Sequence, residues 1–188
     1  MTKVIGLDLE TTGLDVAKGH AIIEVGMLMY ELETGKLLDK FVRRVNPMRP
    51  IDAKAQEIHG IAFSDLVSCP VFKDLATDIV SFMQHADFLV AHNADFDMPF
   101  IGIELMRAGL EIPAMHTICT MKEGRWATPL GKNPNLGELC FALEIAYDKS
   151  KAHSAEYDID VTMQCFFKGL ERGFYKVPEL KQLEREAA

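Results

Sequence analysis

The sequence lacks any run of about 18 apolar residues, the length that a helix needs to cross a bilayer. Only four largely apolar residues lie between the first three residues and Asp8, too few for the apolar core of a secretory signal peptide. We therefore expect a protein with no membrane partner.

Cysteine is scarce and scattered. None of the four cysteines forms a C-x-x-C pair: Cys69, Cys119, Cys140 and Cys165. We interpret them as reduced thiols of a cytoplasmic protein. A zinc site built from His116, Cys119 and Cys140 is the alternative, but this spacing fits no usual zinc-binding pattern.

An excess of positive charge is also missing. The chain has 20 Lys and Arg against 28 Asp and Glu, a net charge of −8. Proteins that cover long stretches of duplex normally carry a basic surface. If the substrate is a nucleic acid, its binding must be short, local and helped by metal ions. The net charge thus argues against a protein that covers DNA, but it is compatible with a nuclease that binds only the end of a strand.

Internal repeats and low-complexity segments are absent. With 188 residues, of which 48% are apolar, the chain suits one domain with a full core. We assign that domain to residues 1–175, followed by a charged C-terminal tail over residues 176–188.

Hydrophobic patterning predicts the elements of this domain. Strands are predicted over residues 4–7, 21–30, 37–45, 87–91 and 117–120, and helices over residues 53–58, 71–85, 98–108, 136–143 and 156–170. The second and third strands should be antiparallel, and Pro99 sets the start of the third helix because proline is tolerated only near a first turn. Three early strands followed by strand–helix alternation imply an α/β fold, a mixed five-stranded sheet flanked by helices.

Residues 123–134 contain several glycines and prolines and are predicted to form a loop. Trp126 in this loop either contacts a substrate or covers the core. We favour the core, because loop tryptophans more often serve that purpose.

Two acids stand at the end of the first strand. Side chains alternate along a strand, so Asp8 and Glu10 point to one face, roughly 7 Å apart. A carboxylate in an apolar strand is costly unless it is paired or binds a cation. A hard divalent ion, which takes oxygen ligands, is the natural partner for two like charges. The alternative is that Glu10 only begins a solvated turn before Gly13.

Two further acids follow predicted element boundaries, Asp97 after the fourth strand and Asp158 in the last helix. Four converging carboxylates could hold two divalent ions about 4 Å apart, the arrangement used in phosphoryl transfer. His153 precedes Asp158 by five residues, about 140° on a helix, so it belongs on the preceding loop. There it either acts as a general base or has no role.

The register of two of these acids needs a decision, because Asp95 and Asp160 are close competitors. Residues two apart on a helix point to nearly opposite sides. Asp158 lies on an apolar stripe of the last helix, whereas Asp160 lies on a polar one, so we choose Asp158. The local pattern does not decide between Asp95 and Asp97.

Three motifs of this chain resemble those of the DEDDh 3′→5′ exonucleases. They are Asp8-Leu9-Glu10-Thr11-Thr12-Gly13-Leu14, His92-Asn93-Ala94-Asp95-Phe96-Asp97 and His153-Ser154-Ala155-Glu156-Tyr157-Asp158. His59-Gly60-Ile61 resembles a shorter element between the first two motifs. The resemblance extends over residues 4–169. The family includes the proofreading epsilon subunit of bacterial DNA polymerase III, the Trex exonucleases and the oligoribonucleases.

The resemblance implies a ribonuclease H-like fold and a two-metal mechanism. The family spacing selects Asp97 over Asp95. Carried over, the metal ligands would be Asp8, Glu10, Asp97 and Asp158, with Asp8 bridging both ions, while His153 would deprotonate the attacking water. Oxygen ligands favour Mg²⁺, with Mn²⁺ as a substitute. The family positions that line the terminal-nucleotide pocket correspond to Thr11, Leu14, His59, Ile61, Asn93 and Phe96.

We therefore expect a metal-dependent 3′→5′ exonuclease that releases nucleoside 5′-monophosphates, with single-stranded DNA as the favoured substrate. A module that docks to a polymerase for proofreading is the main alternative, and the two are compatible. An exoribonuclease acting on short RNA and a ribonuclease H-type endonuclease are further alternatives, and a homodimer is a possible assembly. DNA repair and proofreading are the expected pathways.

Overall fold

The structure is a computed structural model that describes residues 1–177. Five strands and six helices form the described domain. The strands are β1 (Lys3–Thr11), β2 (Ile22–Glu31), β3 (Leu37–Arg44), β4 (Phe88–Ala91) and β5 (His116–Cys119). The helices are α1 (Ala53–His59), α2 (Phe72–Gln84), α3 (Ala94–Arg107), α4 (Thr120–Glu123), α5 (Leu136–Ala142) and α6 (Ala155–Glu171). Most predicted boundaries agree within two residues. The predicted tail lies outside the described residues, except for residues 176–177.

The strands form one mixed sheet in the order β3-β2-β1-β4-β5. β1 is central, pairing antiparallel with β2 and parallel with β4. β2 and β3 are antiparallel, as predicted, and β4 and β5 are parallel. The predicted mixed five-stranded α/β sheet is therefore confirmed. Because β1, β4 and β5 run in the same direction, their carboxyl ends meet at one edge of the sheet, where α/β sheets build their sites.

Both faces of the sheet are covered, and β1 divides its side chains between them. Ile5, Leu7 and Leu9 belong to a core cluster that includes residues of α2 and α3. Val4 belongs to a second cluster with residues of α6, including Ile159. Strand alternation puts Gly6, Asp8 and Glu10 on the same side as Val4. The two acids of β1 therefore face α6.

Two glycines allow α6 to approach the sheet closely. A Cβ atom at Gly26 would lie 2.7 Å from Ile159 Cδ1 and 2.8 Å from Ala155 Cβ. A Cβ atom at Gly6 would lie 2.5 Å from Ile159 Cγ2. All three distances are shorter than carbon atoms tolerate. The first turn of α6, which carries Asp158, is thereby held against β1 and β2.

Helix α3 begins at Ala94, four residues before the predicted start, so that prediction is wrong. Asn93 adopts a left-handed conformation (φ 78°), which turns the chain straight from β4 into the helix. Pro99 is the sixth helical residue and removes only the bond that its N–H would give to the Asp95 carbonyl. The early start places Asp97 in the first turn of α3, at the sheet edge.

Residues 123–134 contain more local structure than the predicted loop, namely the end of α4 and 3₁₀ turns at Arg125–Ala127 and Pro129–Gly131. Trp126 stacks on Phe174 with ring centroids 3.9 Å apart and packs against the core clusters beside α6. This contact agrees with the preference for a core-covering role. Within residues 1–177, no helix combines the length and apolar character needed to span a membrane.

The close approach at Gly26 can be tested by adding one methyl group. Gly26→Ala should lower the free energy of unfolding by about 1–3 kcal/mol, the usual cost of overpacking, because Ala155 cannot move aside. The matched control is Gly102→Ala in α3, where nothing lies within 4 Å of the added Cβ. That change should be neutral or stabilising by about 0.5–1 kcal/mol. Urea unfolding measures both, and equal stability of Gly26→Ala and the wild type would contradict the packing described here.

Candidate active site

Four carboxylates meet where β1, α3 and α6 converge. Asp8 and Glu10 come from β1, Asp97 from the first turn of α3, and Asp158 from the first turn of α6. Burial raises the pKa of Asp8, and the negative charges of Asp97, Glu10 and Asp158 raise it further, which places the four groups within electrostatic reach of one another. The structure thus brings together all four acids that the sequence singled out.

Burial makes this cluster of like charges costly. Asp97 is 2% exposed and Glu10 is 8% exposed. Burial raises the pKa of Glu10 to about 8, and the charges of Asp158, Glu24 and Asp97 act in the same direction. Burial likewise raises the pKa of Asp97 to about 8, although backbone hydrogen bonds of Leu9 and of Asp97 itself act against it. Without a cation, these acids bind protons more tightly than acids in water do.

His153 lies on the loop before α6, as the helical spacing predicted. Its backbone is left-handed (φ 64°), and its N–H donates to Asp158 Oδ2 over 2.8 Å. One possible ligand atom from each of Glu10, His153 and Asp158 lies within 4.8 Å of the others. The side chain is exposed, so the imidazole is open to solvent and to a substrate.

The two competing acids point elsewhere. Asp95 is exposed and pairs with Lys122, at 2.5 Å from Nζ to Oδ2. Asp160 is exposed and accepts a hydrogen bond of 2.8 Å from Gln164 Nε2. Asp97, by contrast, is buried, and Asp158 is partly buried beside Glu10. Only one member of each pair therefore faces the carboxylate cluster.

A fifth carboxylate, Glu24, was not singled out from the sequence. Glu24 on β2 is directly opposite Glu10 in the antiparallel register and is 9% exposed. Its Oε2 accepts a hydrogen bond from Arg44 Nε (3.3 Å), and its Oε1 accepts one from the Ala155 amide (3.4 Å). A signal existed in the sequence, because Glu24 interrupts an otherwise apolar strand, where an unpaired charge is costly.

The residues predicted to line the nucleotide pocket differ in accessibility. Leu14 is 80% exposed beyond the end of β1. Asn93 and Phe96 are partly buried at the start of α3, where the Phe96 ring lies 5.0 Å from that of Phe100. His59 is partly buried at the end of α1, and its Nδ1 accepts a hydrogen bond from the Ile61 amide (3.0 Å). Burial lowers the pKa of His59, so the neutral ring is favoured.

The other two pocket residues are mostly internal. The Thr11 hydroxyl donates to the Gly13 carbonyl over 2.8 Å, and its side chain is buried. Ile61 is buried in a small cluster with Ile23 and Leu66. These positions can shape the pocket wall, but they offer little side-chain surface to a substrate.

The alternative zinc site does not assemble. Cys140 lies against Cys165 on α6, with 3.6 Å between the sulfur atoms, and all four cysteines are free. Among residues 1–177, the Glu10, His153 and Asp158 group is the only set of three candidate ligands whose atoms lie this close together.

Comparisons with known proteins show the family to which the chain belongs. Residues 5–166 match the RNase_T family model, which is described as an exonuclease. The chain is 30% identical to the 3′-5′ exonuclease DinG of Bacillus subtilis over 184 residues, which are 97% of this chain and 19% of DinG. It is 34% identical to the DNA polymerase III epsilon subunit of Pasteurella multocida over 169 residues, 85% of this chain and 65% of that subunit. The chain thus spans less than two thirds of either relative.

Solved structures share the fold. Exonuclease I of Escherichia coli, in complex with a dT13 oligonucleotide, superposes with a TM-score of 0.77 at 18% identity, covering 92% of this chain and 42% of that one. The nuclease domain of 3′hExo, a DEDDh family member bound to rAMP, gives a TM-score of 0.75 at 16% identity. The match covers 95% of this chain and 97% of that one. The ribonuclease H-like fold implied by the three motifs is therefore confirmed. The chain therefore belongs to the RNase_T exonuclease family.

Proposed function

We propose that this exonuclease removes nucleoside 5′-monophosphates one at a time from the 3′ end of single-stranded DNA, using two Mg²⁺ ions. The observation that carries the proposal is the convergence of four carboxylates from β1, α3 and α6 beside an exposed histidine. This set of groups supplies cation ligands and a proton acceptor at one place, which is what phosphodiester hydrolysis requires.

The DEDDh family implies a dependence on divalent metal ions, and the donor set fits them. The four carboxylates offer only oxygen ligands, which suit Mg²⁺ and Mn²⁺. Asp158 Oδ1 is buried and has no hydrogen-bond partner within residues 1–177, as expected of an oxygen that serves as a metal ligand. We assign Asp8, Glu10, Asp97 and Asp158 as the metal ligands. When bound, the ions would activate the attacking water and stabilise the leaving 3′ oxygen.

Residues of the protein itself position the general base and remove the proton from the attacking water. The hydrogen bond from the His153 amide to Asp158 fixes the loop next to a ligand, so the imidazole is held at the edge of the cluster. Histidine is suited to proton transfer near neutral pH, and we assign His153 as the general base that takes a proton from the attacking water. Asp158 thus serves twice, as a ligand and as an anchor for the base.

Substrate binding in this proposal is confined to the strand end. The net charge of −8 disfavours a long contact with phosphates. Leu14 is exposed beside the cluster and can wedge against a base, while Phe96, His59 and Asn93 offer partial surfaces. Contacts of this kind tolerate any base. A single strand fits this short pocket, because it needs no strand separation. An exoribonuclease on short RNA is the alternative for the same pocket.

A second candidate function is a proofreading module attached to a DNA polymerase. The similarity to an epsilon subunit of DNA polymerase III, at 34% identity over 169 residues, favours it. Both candidates use the same active site. Co-elution of the chain with a bacterial polymerase III catalytic subunit would support the module, and separate elution would argue against it. A homodimer stays a prediction, which the molar mass in solution would test.

The function is tested by digestion of labelled substrates. Single-stranded DNA, blunt duplex DNA and short RNA of the same sequence are incubated with Mg²⁺, and the products are separated by chromatography. We expect nucleoside 5′-monophosphates, fastest from single-stranded DNA. A phosphorothioate at the 3′-terminal linkage should block digestion, whereas the same linkage at the 5′ end should not. Cleavage of a circular single strand, or full activity in excess EDTA, would overturn the proposal.

The repulsion among the acids predicts how the stability of the metal-free protein depends on pH. The pKa values of Glu10 and Asp97 are raised to about 8 on folding, so the folded state holds more protons than the unfolded state between about pH 4 and 8. These bound protons stabilise the folded state. The stabilisation is fully present below the pKa that the acids have in the unfolded chain, and it is lost as pH rises through their pKa in the folded protein. The melting temperature in EDTA should therefore fall from about pH 5 to pH 8.

Each titrating acid contributes at most about 1.4 kcal/mol per pH unit to this loss. Asp97→Asn removes one such acid and should flatten the profile, and Mn²⁺ should restore stability at pH 8. Asp95→Asn is the matched control, because Asp95 is exposed and paired with Lys122. A wild-type melting temperature that does not change over this pH range would contradict the prediction.

The assignment of ligands predicts which acid of each pair is needed. Asp97→Asn and Asp158→Asn should each lower turnover by more than about 100-fold, the upper end of what loss of a supporting residue costs in metal sites. Asp95→Asn and Asp160→Asn should keep most of the activity, because both side chains point away from the cluster. Calorimetry with Mn²⁺ should show weaker binding for the first two variants only. An inactive Asp160→Asn protein together with an active Asp158→Asn protein would show that the wrong acid of α6 was assigned as the ligand.

The role of His153 is separable from that of the ligands. His153→Ala should lower kcat by about 10²-fold or more, as expected for a general base, with little change in KM. The acid limb of the wild-type pH–rate profile should disappear in the variant. The control is His116→Ala, a histidine at the exposed start of β5. An unaltered profile in His153→Ala would mean that the attacking water loses its proton without this residue.

A further inference from the structure

His20 is a buried histidine at the junction of three segments around the nucleotide pocket. It precedes β2 and contacts the end of β1 on one side and the start of α1 on the other. Its Nδ1 lies 3.1 Å from the Thr12 hydroxyl oxygen, and its Nε2 lies 3.5 Å from Asp52 Oδ2. None of these three residues is a metal ligand or a pocket residue in the assignments above.

The polar groups on the two sides of His20 can be sorted into donors and acceptors. The Thr12 oxygen accepts the Ala21 amide (3.0 Å), which leaves its own proton for His20 Nδ1. On the other side of the ring, Nε2 makes a 3.5 Å polar contact with Asp52 Oδ2, and a carboxylate oxygen can only accept a proton there. Asp52 stands at the N-cap of α1, yet its side chain makes no capping bond to the helix. The carboxylate is therefore available to His20, and the Asp52 amide adds a bond to the Thr12 carbonyl (2.9 Å).

An acid, a histidine and a hydroxyl in a chain also occur in enzymes that use the hydroxyl as a nucleophile. That role does not suit Thr12. Its side chain is completely buried, and its oxygen is occupied by the Ala21 amide. The chain of bonds is therefore a mechanical link between segments.

The link joins the two sides of the nucleotide pocket. The His20 ring packs against Gly13, where a Cβ atom would lie 2.4 Å from His20 Cε1. Gly13 is followed at once by the exposed Leu14. On the other side, α1 begins after Asp52 and ends at His59. Gly13, next to Leu14, and Asp52, at the start of the helix that ends at His59, therefore both lie against one imidazole.

We propose that His20 is a positioning residue for the terminal nucleotide, setting the spacing between Leu14 on one wall of the pocket and His59 on the other. The proposal rests on the proposed function, because it takes these two residues as pocket walls. His20 acts through Thr12, Gly13 and Asp52 and does not touch the substrate. Its loss loosens the pocket and leaves the carboxylate cluster intact, so it affects binding more than chemistry.

The test uses His20→Gln and Asp52→Ala. Because the Asp52 side chain is 59% exposed and makes no capping bond, Asp52→Ala can fold even if His20→Gln cannot. Both variants should raise KM for end-labelled single-stranded DNA by about 10-fold, with kcat within about 2-fold of the wild type. The matched control is His85→Gln, an exposed histidine whose Nδ1 lies 2.6 Å from the Ser81 carbonyl oxygen of α2. Its kinetics should be those of the wild type.

A double-mutant cycle separates positioning from a general structural role. If His20 holds Leu14 in place, Leu14→Ala should raise KM clearly in the wild type and by much less in the His20→Gln protein. Binding of Mn²⁺ measured by calorimetry should be the same in His20→Gln, Asp52→Ala and the wild type. A merely destabilising substitution would not produce this combination.

The outcomes distinguish this inference from the proposed function. A wild-type protein that digests no 3′ end in the presence of Mg²⁺ or Mn²⁺ would overturn the proposed function, and the inference with it. An active wild type whose KM is unchanged by both substitutions would overturn the inference alone. A fall in kcat at constant KM, or fully additive effects of His20→Gln and Leu14→Ala, would also overturn the inference.

Discussion

The structure depends on holding several carboxylates close together where little water can reach them. Burial raises the pKa of Asp8, Glu10, Asp97 and Asp158, and neighbouring carboxylates raise those of Asp8 and Glu10 further. The arrangement therefore opposes folding whenever these groups are ionised without a cation. The rest of the fold must supply the stability that this cluster removes. It does so through a sheet covered on both faces and through the glycine contacts that bring α6 against β1 and β2.

Glu24 shows what separates a structural acid from the others in this region. It is buried beside Glu10, but its two oxygens are satisfied by Arg44 and by the Ala155 amide. Asp158 Oδ1, in contrast, is buried without a partner within the described residues. Since buried polar atoms are nearly always paired, the unpaired oxygen supports the proposal that Asp158 is a metal ligand. Glu24 also ties β2 to the start of α6 and so supports the position of His153.

Sequence patterns predicted the features that depend on local periodicity. The alternation of β1 placed Asp8 and Glu10 on one face, and the helical spacing placed His153 before α6; both are found in the structure. The start of α3 was missed because a proline rule outweighed the turn at Asn93, whose left-handed backbone has no clear sequence signal. The strand order, the fifth acid Glu24 and the link through His20 depend on contacts between distant segments, which periodicity does not encode.

The site consists of two parts that are held in place by different interactions. The carboxylates are fixed by the packing of α3 and α6 on the sheet, while Leu14 and His59, the proposed pocket walls, are connected through the polar contacts of His20 with Thr12 and Asp52. Thr12 follows directly on the strand that carries Glu10, so β1 connects the two parts. Changes in the loops after β1 and before α1 can therefore alter the binding of a nucleotide without moving the proposed metal ligands.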